Sequence, residues 1–182
     1  MERTIKIHKI KILIILILFV FLTLIGCSSE ESVNNNQLEK IVNPTLITSI
    51  AEISIPKFKL GKNYKVEDLP EAIAVSRAIF NKKDIEIREY KTHEDAIQFG
   101  EKFASSVSGK DAIVSGDNVM WKEGAKDRRK CVPRAGNSEA GCDQTPRFGG
   151  YIILGNLIIL CEGLSDQESL ELCHSFKNSL IQ

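Results

Sequence analysis

Residues 151–162 read Tyr-Ile-Ile-Leu-Gly-Asn-Leu-Ile-Ile-Leu-Cys-Glu, two apolar runs joined by a glycine and an asparagine. A two-residue loop with glycine first is typical of the type II′ turn of a β-hairpin. Because both runs are apolar on both faces, we expect the hairpin to lie centrally in its sheet. Residues 165–168 then form a Ser-Asp-Gln-Glu capping box. An apolar stripe after this box predicts a final helix, with the members Leu170, Cys173, Phe176 and Leu180.

Upstream of the hairpin, the pattern indicates a helix and then a strand. Residues 66–80 are expected to open the domain with a helix, because Asp68 and Pro70 precede apolar residues at helical spacing. Residues 85–90 alternate between apolar and charged side chains with period two, which predicts a strand.

A second helix and two short strands are expected before the long hairpin. Thr92 caps a helix whose apolar residues are Ala96, Phe99, Gly100, Phe103, Ala104 and Val107. Residues 112–114 and 119–121 are short strand candidates around a turn. This order of elements predicts an α+β fold, a small antiparallel sheet with helices packed on one face.

Residues 1–26 have the features of a signal peptide. Four basic residues precede a 14-residue run, from Ile12 to Ile25, that Thr23 alone interrupts. The run is too short for a comfortable membrane span, which takes about 20 apolar residues.

The apolar run ends in Leu24-Ile25-Gly26-Cys27, which resembles the lipobox of bacterial lipoproteins. The resemblance implies that Cys27 is acylated, with chains such as palmitate, and becomes the first residue of the mature protein. Two or more acyl chains would hold the protein on the exported face of the cell membrane. The alternative is an uncleaved signal anchor with an ordinary Cys27, which also exports residues 28–182.

The exported part divides into a tether and one domain. Residues 27–65 are predicted to be a lipid-anchored, partly ordered tether, because residues 28–37 include one apolar side chain. Residues 66–182 are predicted to form a single α+β domain. In overall layout this domain resembles other small bacterial lipoproteins of unknown function, a resemblance that implies no activity.

Composition and motifs exclude several classes of protein. Basic and acidic residues number 24 each, so the chain has no global attraction to nucleic acid. The sequence contains no phosphate-binding loop, dinucleotide fingerprint, zinc-protease helix or hydrolase elbow. We therefore predict neither catalysis nor a cofactor.

Four of the five cysteines lie in the predicted domain, at Cys131, Cys142, Cys161 and Cys173. An even number in an exported domain favours two disulfides, for which three connectivities are possible. We prefer Cys131 with Cys142, in one irregular loop, and Cys161 with Cys173, on a strand and in a helical stripe. A zinc site is the alternative, but the usual spacing of two to four residues between ligands is absent.

Residues 123–149 form a candidate loop of 27 residues, a length that usually indicates function or disorder. Within residues 122–134, six basic residues against two acidic ones give a local charge of +4. Arginines near a disulfide suit the recognition of carboxylate or phosphate. The candidate binding residues are Arg128, Arg129, Lys130 and Arg134, with Trp121 as an apolar wall. The alternative is a solvated loop, with Trp121 packed on the sheet.

Three classes of function follow from these patterns. The first is a non-catalytic binding or accessory lipoprotein for a small anionic solute or an envelope polymer. The second is a structural or assembly protein of the cell envelope that acts through protein partners. The third, an enzyme, has no polar cluster in the sequence to support it.

Overall fold

The structure of the protein is a computed structural model that describes residues 38–133 and 142–182, with the backbone alone for Pro133, Cys142 and Asp143. The described residues lie within one compact unit, Gln37–Gln182. Its strands are β1 Ile41–Val42, β2 Phe58–Tyr64, β3 Ala74–Phe80, β4 Lys83–Glu89, β5 Arg129–Pro133, β6 Cys142–Pro146, β7 Phe148–Leu154 and β8 Leu157–Glu162.

Two helices and two 3-10 turns complete the described elements. Helix α1 consists of an α-helical turn His93–Asp95, a π-helical segment Ala96–Gly100 and an α-helical segment Glu101–Ser105. Helix α2 is Asp166–Leu180, and the 3-10 helices are Ile50–Glu52 and Ala125–Arg128. The predicted caps are present, since the side chains of Thr92 and Ser165 accept bonds from Asp95 N and Glu168 N. Among the described residues, no helix is long and apolar enough to cross a membrane.

Six strands form the main sheet in the order β1-β7-β8-β4-β3-β2, and β5 and β6 form a separate hairpin. Every neighbouring pair is antiparallel except β1 with β7. The hairpin of β7 and β8 lies inside the sheet, as predicted. Its turn needs a glycine, because Gly155 has φ +56° and an added Cβ would lie 1.9 Å from the Leu46 carbonyl oxygen.

The sheet has two different faces, because successive side chains of a strand point in opposite directions. On the apolar face, Ile159 and Cys161 of β8 pack with Cys173 and Phe176 of α2. On the mixed face, Ile158 and Leu160 of β8 pack with residues of α1, among them Ala104. The α+β class is confirmed, but the helices lie on both faces and not on one. A strand that is apolar on both sides needs a cover on each side.

The predicted helix over residues 66–80 is wrong, because Ala74–Phe80 is strand β3. Its apolar residues fit a helical spacing, but hydrogen bonding to β2 on one side and β4 on the other decides for a strand. The turn from β3 to β4 places Asn81 and Lys82 at φ +51° and +66°, a conformation that suits a two-residue hairpin loop.

Residues 112–114 and 119–121, predicted as short strands, lie in no strand. Three apolar residues without a partner strand are too few for a ladder, and Val114, Val119 and Trp121 are buried as loop residues. The predicted 27-residue loop is instead ordered in part, because it contains a 3-10 helix and the hairpin of β5 and β6.

The sheet begins earlier in the chain than residue 66, where the sequence placed the start of the domain. Strands β1 and β2 and the first 3-10 helix all lie within the predicted tether. Asn156 fastens this segment, because its amide accepts from Thr48 N at 2.9 Å and donates to Thr48 O at 3.0 Å and Tyr90 O at 2.8 Å. The predicted signal peptide and Cys27 lie outside the described residues.

Candidate functional site

Strand β4 alternates between apolar and charged side chains, and this alternation builds the candidate site. Ile85 and Ile87 belong to the core of the apolar face. Asp84, Glu86 and Arg88 therefore point to the mixed face, and all three are buried. Charged residues are rarely buried unless they are paired, so their partners decide what this face can do.

The Glu86 carboxylate joins two buried arginines. Arg88 Nε donates to Glu86 Oε1, and Arg128 Nε donates to Glu86 Oε2, each at 2.8 Å. Arg128 comes from the second 3-10 helix, and its Nη1 also donates to the carbonyl oxygens of Trp121 and Glu123 at 3.3 and 2.8 Å. Burial lowers the pKa of Arg128 below its ordinary value, although the Glu86 carboxylate opposes this shift. We call Glu86, Arg88, Arg128 and Trp121 the arginine cluster.

Trp121 supplies the aromatic surface of the arginine cluster. Its ring centroid lies 4.1 Å from Arg128 Cζ and 5.3 Å from Arg88 Cζ. Tyr64 contacts Trp121 edge-on, with 6.1 Å between the ring centroids. These are cation–π and aromatic contacts, which gain strength away from water. Trp121 is 2 % exposed. It therefore packs inside the fold and does not form an exposed wall of a ligand site.

A second set of ion pairs attaches the hairpin of β5 and β6 to the sheet. Arg147, just after β6, pairs with Asp84, and Arg77 Nη2 lies 2.7 Å from the other oxygen of that carboxylate. Arg147 also donates to the carbonyl oxygens of Asp127 at 2.7 Å and Arg129 at 3.0 Å. One arginine thus ties the start of β5, and the 3-10 helix before it, to β4.

Lys130 makes the third link between the hairpin and the sheet, through Glu162 at the end of β8. Burial acts to raise the pKa of the Glu162 carboxyl. The hydrogen bonds from the Asp84 N–H and Lys130 Nζ outweigh burial, so this pKa lies below its ordinary value. Glu162 is therefore an acceptor for two neighbouring segments.

Two of the basic residues of the predicted anion site, Arg128 and Lys130, are thus paired within the fold. Arg128, a candidate binding residue, is fully buried because Glu86 and Trp121 enclose it. Lys130 is paired with Glu162, and Arg129 is half-buried with its backbone in β5. Arg134 lies outside the described residues. No exposed arginine cradle exists among Arg128, Arg129 and Lys130.

A cleft of about 830 Å³ lies beside this hairpin. Its apolar lining comes from Val132 and Pro146 of the hairpin, Phe148 of β7 and Leu164 before α2. Leu164 is 80 % exposed, an unusual degree for a leucine at the edge of a cleft. Part of the segment that the sequence singled out therefore does line a cleft, but with apolar side chains.

The charged side chains at the cleft are already neutralised. Lys110 and Asp111 pair with each other at 2.8 Å, and Asp166 pairs with Lys40 at 3.3 Å. The remaining polar lining includes hydroxyl groups such as that of Thr145. The cleft therefore suits an apolar group that carries a few hydrogen-bonding atoms, and none of its described lining residues offers an unpaired cation to an anionic ligand.

Cys161 and Cys173 form a disulfide that fastens helix α2 to β8, and this is the pairing that the sequence favoured. Cys131 is also disulfide-bonded. The side chain of Cys142 lies outside the described residues, so its pairing with Cys131 stays a prediction. Within the described ranges, no group of His, Cys, Asp and Glu could hold a metal ion.

Sequence reasoning missed Glu86 and Arg88 because both occupy the polar positions of an alternating strand, a pattern that is typical of a strand with one face in solvent. A signal was present: Asp84, Glu86 and Arg88 place charges of both signs on one strand face. Charges of both signs at this spacing are compatible with a second layer of charged residues above the strand.

The comparisons with known proteins identify a family but no activity. The chain belongs to a family of unknown function, DUF6810, whose model matches residues 49–182. Neither a curated protein nor a solved structure was found to match it.

Proposed function

We propose that this member of the DUF6810 family is an exported, lipid-anchored, non-catalytic binding protein. Its ligand would occupy the cleft between the hairpin of β5 and β6 and the start of α2. The cleft itself is the observation that carries the proposal, because it combines an apolar lining with hydroxyl groups beside a hairpin held in place by ion pairs. Preorganised walls reduce the entropy that a ligand must lose on binding.

The chemistry of the cleft favours an uncharged ligand over the anionic one that the sequence suggested. Arg128, Lys130 and Arg147 are bound to Glu86, Glu162 and Asp84, so they are not available to a carboxylate or phosphate. Val132, Pro146 and Phe148 instead offer contact to an apolar group, such as a ring or a short aliphatic chain.

Export and anchoring rest on the lipobox-like sequence that ends at Cys27, supported by the Cys161–Cys173 disulfide. Structural disulfides persist in oxidising compartments and are rare in the reducing cytosol. In cells supplied with a labelled fatty acid, we expect label in the wild-type protein and none in Cys27→Ser. A wild-type protein without label would refute the anchor and leave the cleft untouched.

The binding role is tested by a melting screen on the full chain, purified in detergent. We expect uncharged, partly apolar compounds to raise the melting temperature, since a ligand that binds only the folded state stabilises it. Val132→Arg, at the cleft wall, should abolish the shift. Ile47→Arg is the matched control, because Ile47 is an exposed apolar residue outside the cleft.

Two outcomes would contradict a ligand in this cleft. The first is that no uncharged compound stabilises the wild type; the second is equal stabilisation of the Val132→Arg variant. Cross-linking from the Leu164 position to an envelope protein, without a small ligand, would instead favour the assembly role.

A further inference from the structure

The arginine cluster contains more positive than negative charge in a buried place. Glu86, Arg88 and Arg128 are at most 1 % exposed, and together they carry two positive charges and one negative charge. The other described carboxylates on this face have partners of their own: Asp84 with Arg77 and Arg147, Glu162 with Lys130, and Asp127 with Lys62 and Tyr64. An uncompensated buried charge is strongly unfavourable.

The same region holds hydrogen-bond donors without acceptors. Three of the buried side-chain atoms that have no hydrogen-bond partner among the described residues are Arg88 Nη1, Trp121 Nε1 and the Tyr90 hydroxyl; Arg128 Nη2, which faces Gly124, is another. Nearly all buried N–H and O–H groups in folded proteins have a partner, so three such groups near one another need an explanation.

These three donors come from one neighbourhood. Tyr90 follows Arg88 by two positions along the strand direction, and Arg88 Cζ lies 5.3 Å from the Trp121 ring centroid. Burial raises the pKa of Tyr90 to about 12, so its phenol keeps the proton and remains a donor at neutral pH. An occupant in contact with these three groups would meet three hydrogen-bond donors, beside an excess positive charge.

We propose that Arg88 Nη1, the Tyr90 hydroxyl and Trp121 Nε1 hold a small monovalent anion of the chloride class within the fold. An anion accepts from all three donors and cancels the excess charge of the arginine cluster, whereas water would satisfy the donors alone. The burial of every member excludes a large ligand or a macromolecular partner. This site is separate from the cleft, and it survives if the proposed binding function fails.

Trp121 makes the test specific, because it is the only tryptophan in the sequence. The full chain is purified in detergent and dialysed into gluconate, and bromide is then added at constant ionic strength. Bromide in contact with an indole quenches its fluorescence, so we expect quenching that saturates at a bound site. Chloride should compete with bromide and should raise the melting temperature relative to gluconate.

Three variants tie the effect to the site. Tyr90→Phe, which keeps the ring, should weaken halide affinity about tenfold by removing one donor to the ion. Arg88→Met removes the excess charge and should abolish the saturable quenching. Tyr151→Phe is the matched control: its hydroxyl donates to Glu101 at 3.1 Å and its pKa is also raised to about 12, yet it should leave halide affinity unchanged.

Equal melting temperatures in chloride and gluconate, with only linear quenching, would overturn the proposal unless the ion never exchanges. Ion analysis of the denatured protein covers that case, because a trapped anion would be released at one per chain. No saturation and no released chloride mean that the donors bind water. Equal halide affinity in Tyr90→Phe and the wild type would also overturn the site, even if Arg88→Met does not fold.

Discussion

The two faces of the main sheet are built from alternate residues of the same strands, yet they are held together differently. On the apolar face, Phe176 of α2 packs edge-on against Phe80 of β3, and the Cys161–Cys173 disulfide joins helix to sheet. On the mixed face, ion pairs from Glu86, Asp84 and Glu162 hold the covering segments.

This difference determines what each face specifies. Apolar contact depends little on direction, so it gives stability to any cover of suitable shape. An ion pair demands one partner at one position, and it thereby fixes which loop residue lies above which strand residue. The ion pairs of the mixed face thereby place the hairpin that forms one wall of the cleft.

The largest effect is expected from removing the charge that the mixed face depends on. Glu86→Gln leaves Arg88 and Arg128 buried without their carboxylate, which should lower the free energy of unfolding by about 3–5 kcal/mol. Ile159→Val, a loss of one methylene on the apolar face, should cost only about 0.5–1.5 kcal/mol. Urea denaturation of both variants measures the two losses in free energy of unfolding. Similar losses in the two variants would contradict the proposed difference between the faces.

A triple variant sharpens this result. Replacing Glu86, Arg88 and Arg128 together by Leu, Met and Met should recover most of the stability, because apolar groups of similar volume often replace a buried ion cluster at little cost. If the triple variant is as unstable as Glu86→Gln, then poor packing, and not an unpaired buried charge, is the cause of the lost stability.

The next largest effect concerns the apolar face. Cys161 and Cys173 are 12 positions apart, and closing a loop of that size contributes about 3 kcal/mol in the chain-entropy model. The Cys161→Ala/Cys173→Ala double variant should lose about that much in urea denaturation. Reduction of the wild type with dithiothreitol also opens the Cys131 disulfide, so it should lower the free energy of unfolding by at least as much. No change in either experiment would mean that packing alone holds α2.

The smallest effect is a dependence on pH at the edge of the mixed face. The folded-state pKa of Glu162 lies below its ordinary value of 4.5, so its contribution is present above that value and disappears as the pH falls through the lower folded one. Glu162→Gln should cost no more than about 1 kcal/mol at pH 7 and less at pH 3.

The exposed Glu171 of α2 provides the control for this pH effect. Between pH 7 and pH 3, the free energy of unfolding of Glu171→Gln should differ from that of the wild type by a constant amount. A loss in Glu162→Gln that stays constant over the same range would contradict the pKa argument.

Much of the fold followed from local patterns. The central hairpin, strand β4, both capped helices and the α+β class depend on periodicity and on caps that lie within a few residues of each other. Strand β3 did not follow, because its pairing with β2 and β4 overrides a helical spacing of apolar residues. Strand β1 also escaped prediction, since two residues carry no detectable period.

The candidate site was less predictable than the fold. Local charge directed attention to residues 122–149, but sequence does not reveal that Glu86 and Asp84 lie beneath Arg128 and Arg147. Those pairs join segments 42 and 63 positions apart. A run of basic residues has the same sequence pattern whether its side chains meet solvent or pair with carboxylates of a neighbouring strand.

Asn156 has a consequence for the timing of folding. Its amide holds Thr48, 108 positions earlier in the chain. Closing so long a loop costs entropy that is regained only once the intervening strands are in place. The earliest described segment to be synthesised is thus expected to be fixed late, because a nascent chain that has not yet released residue 156 lacks this attachment.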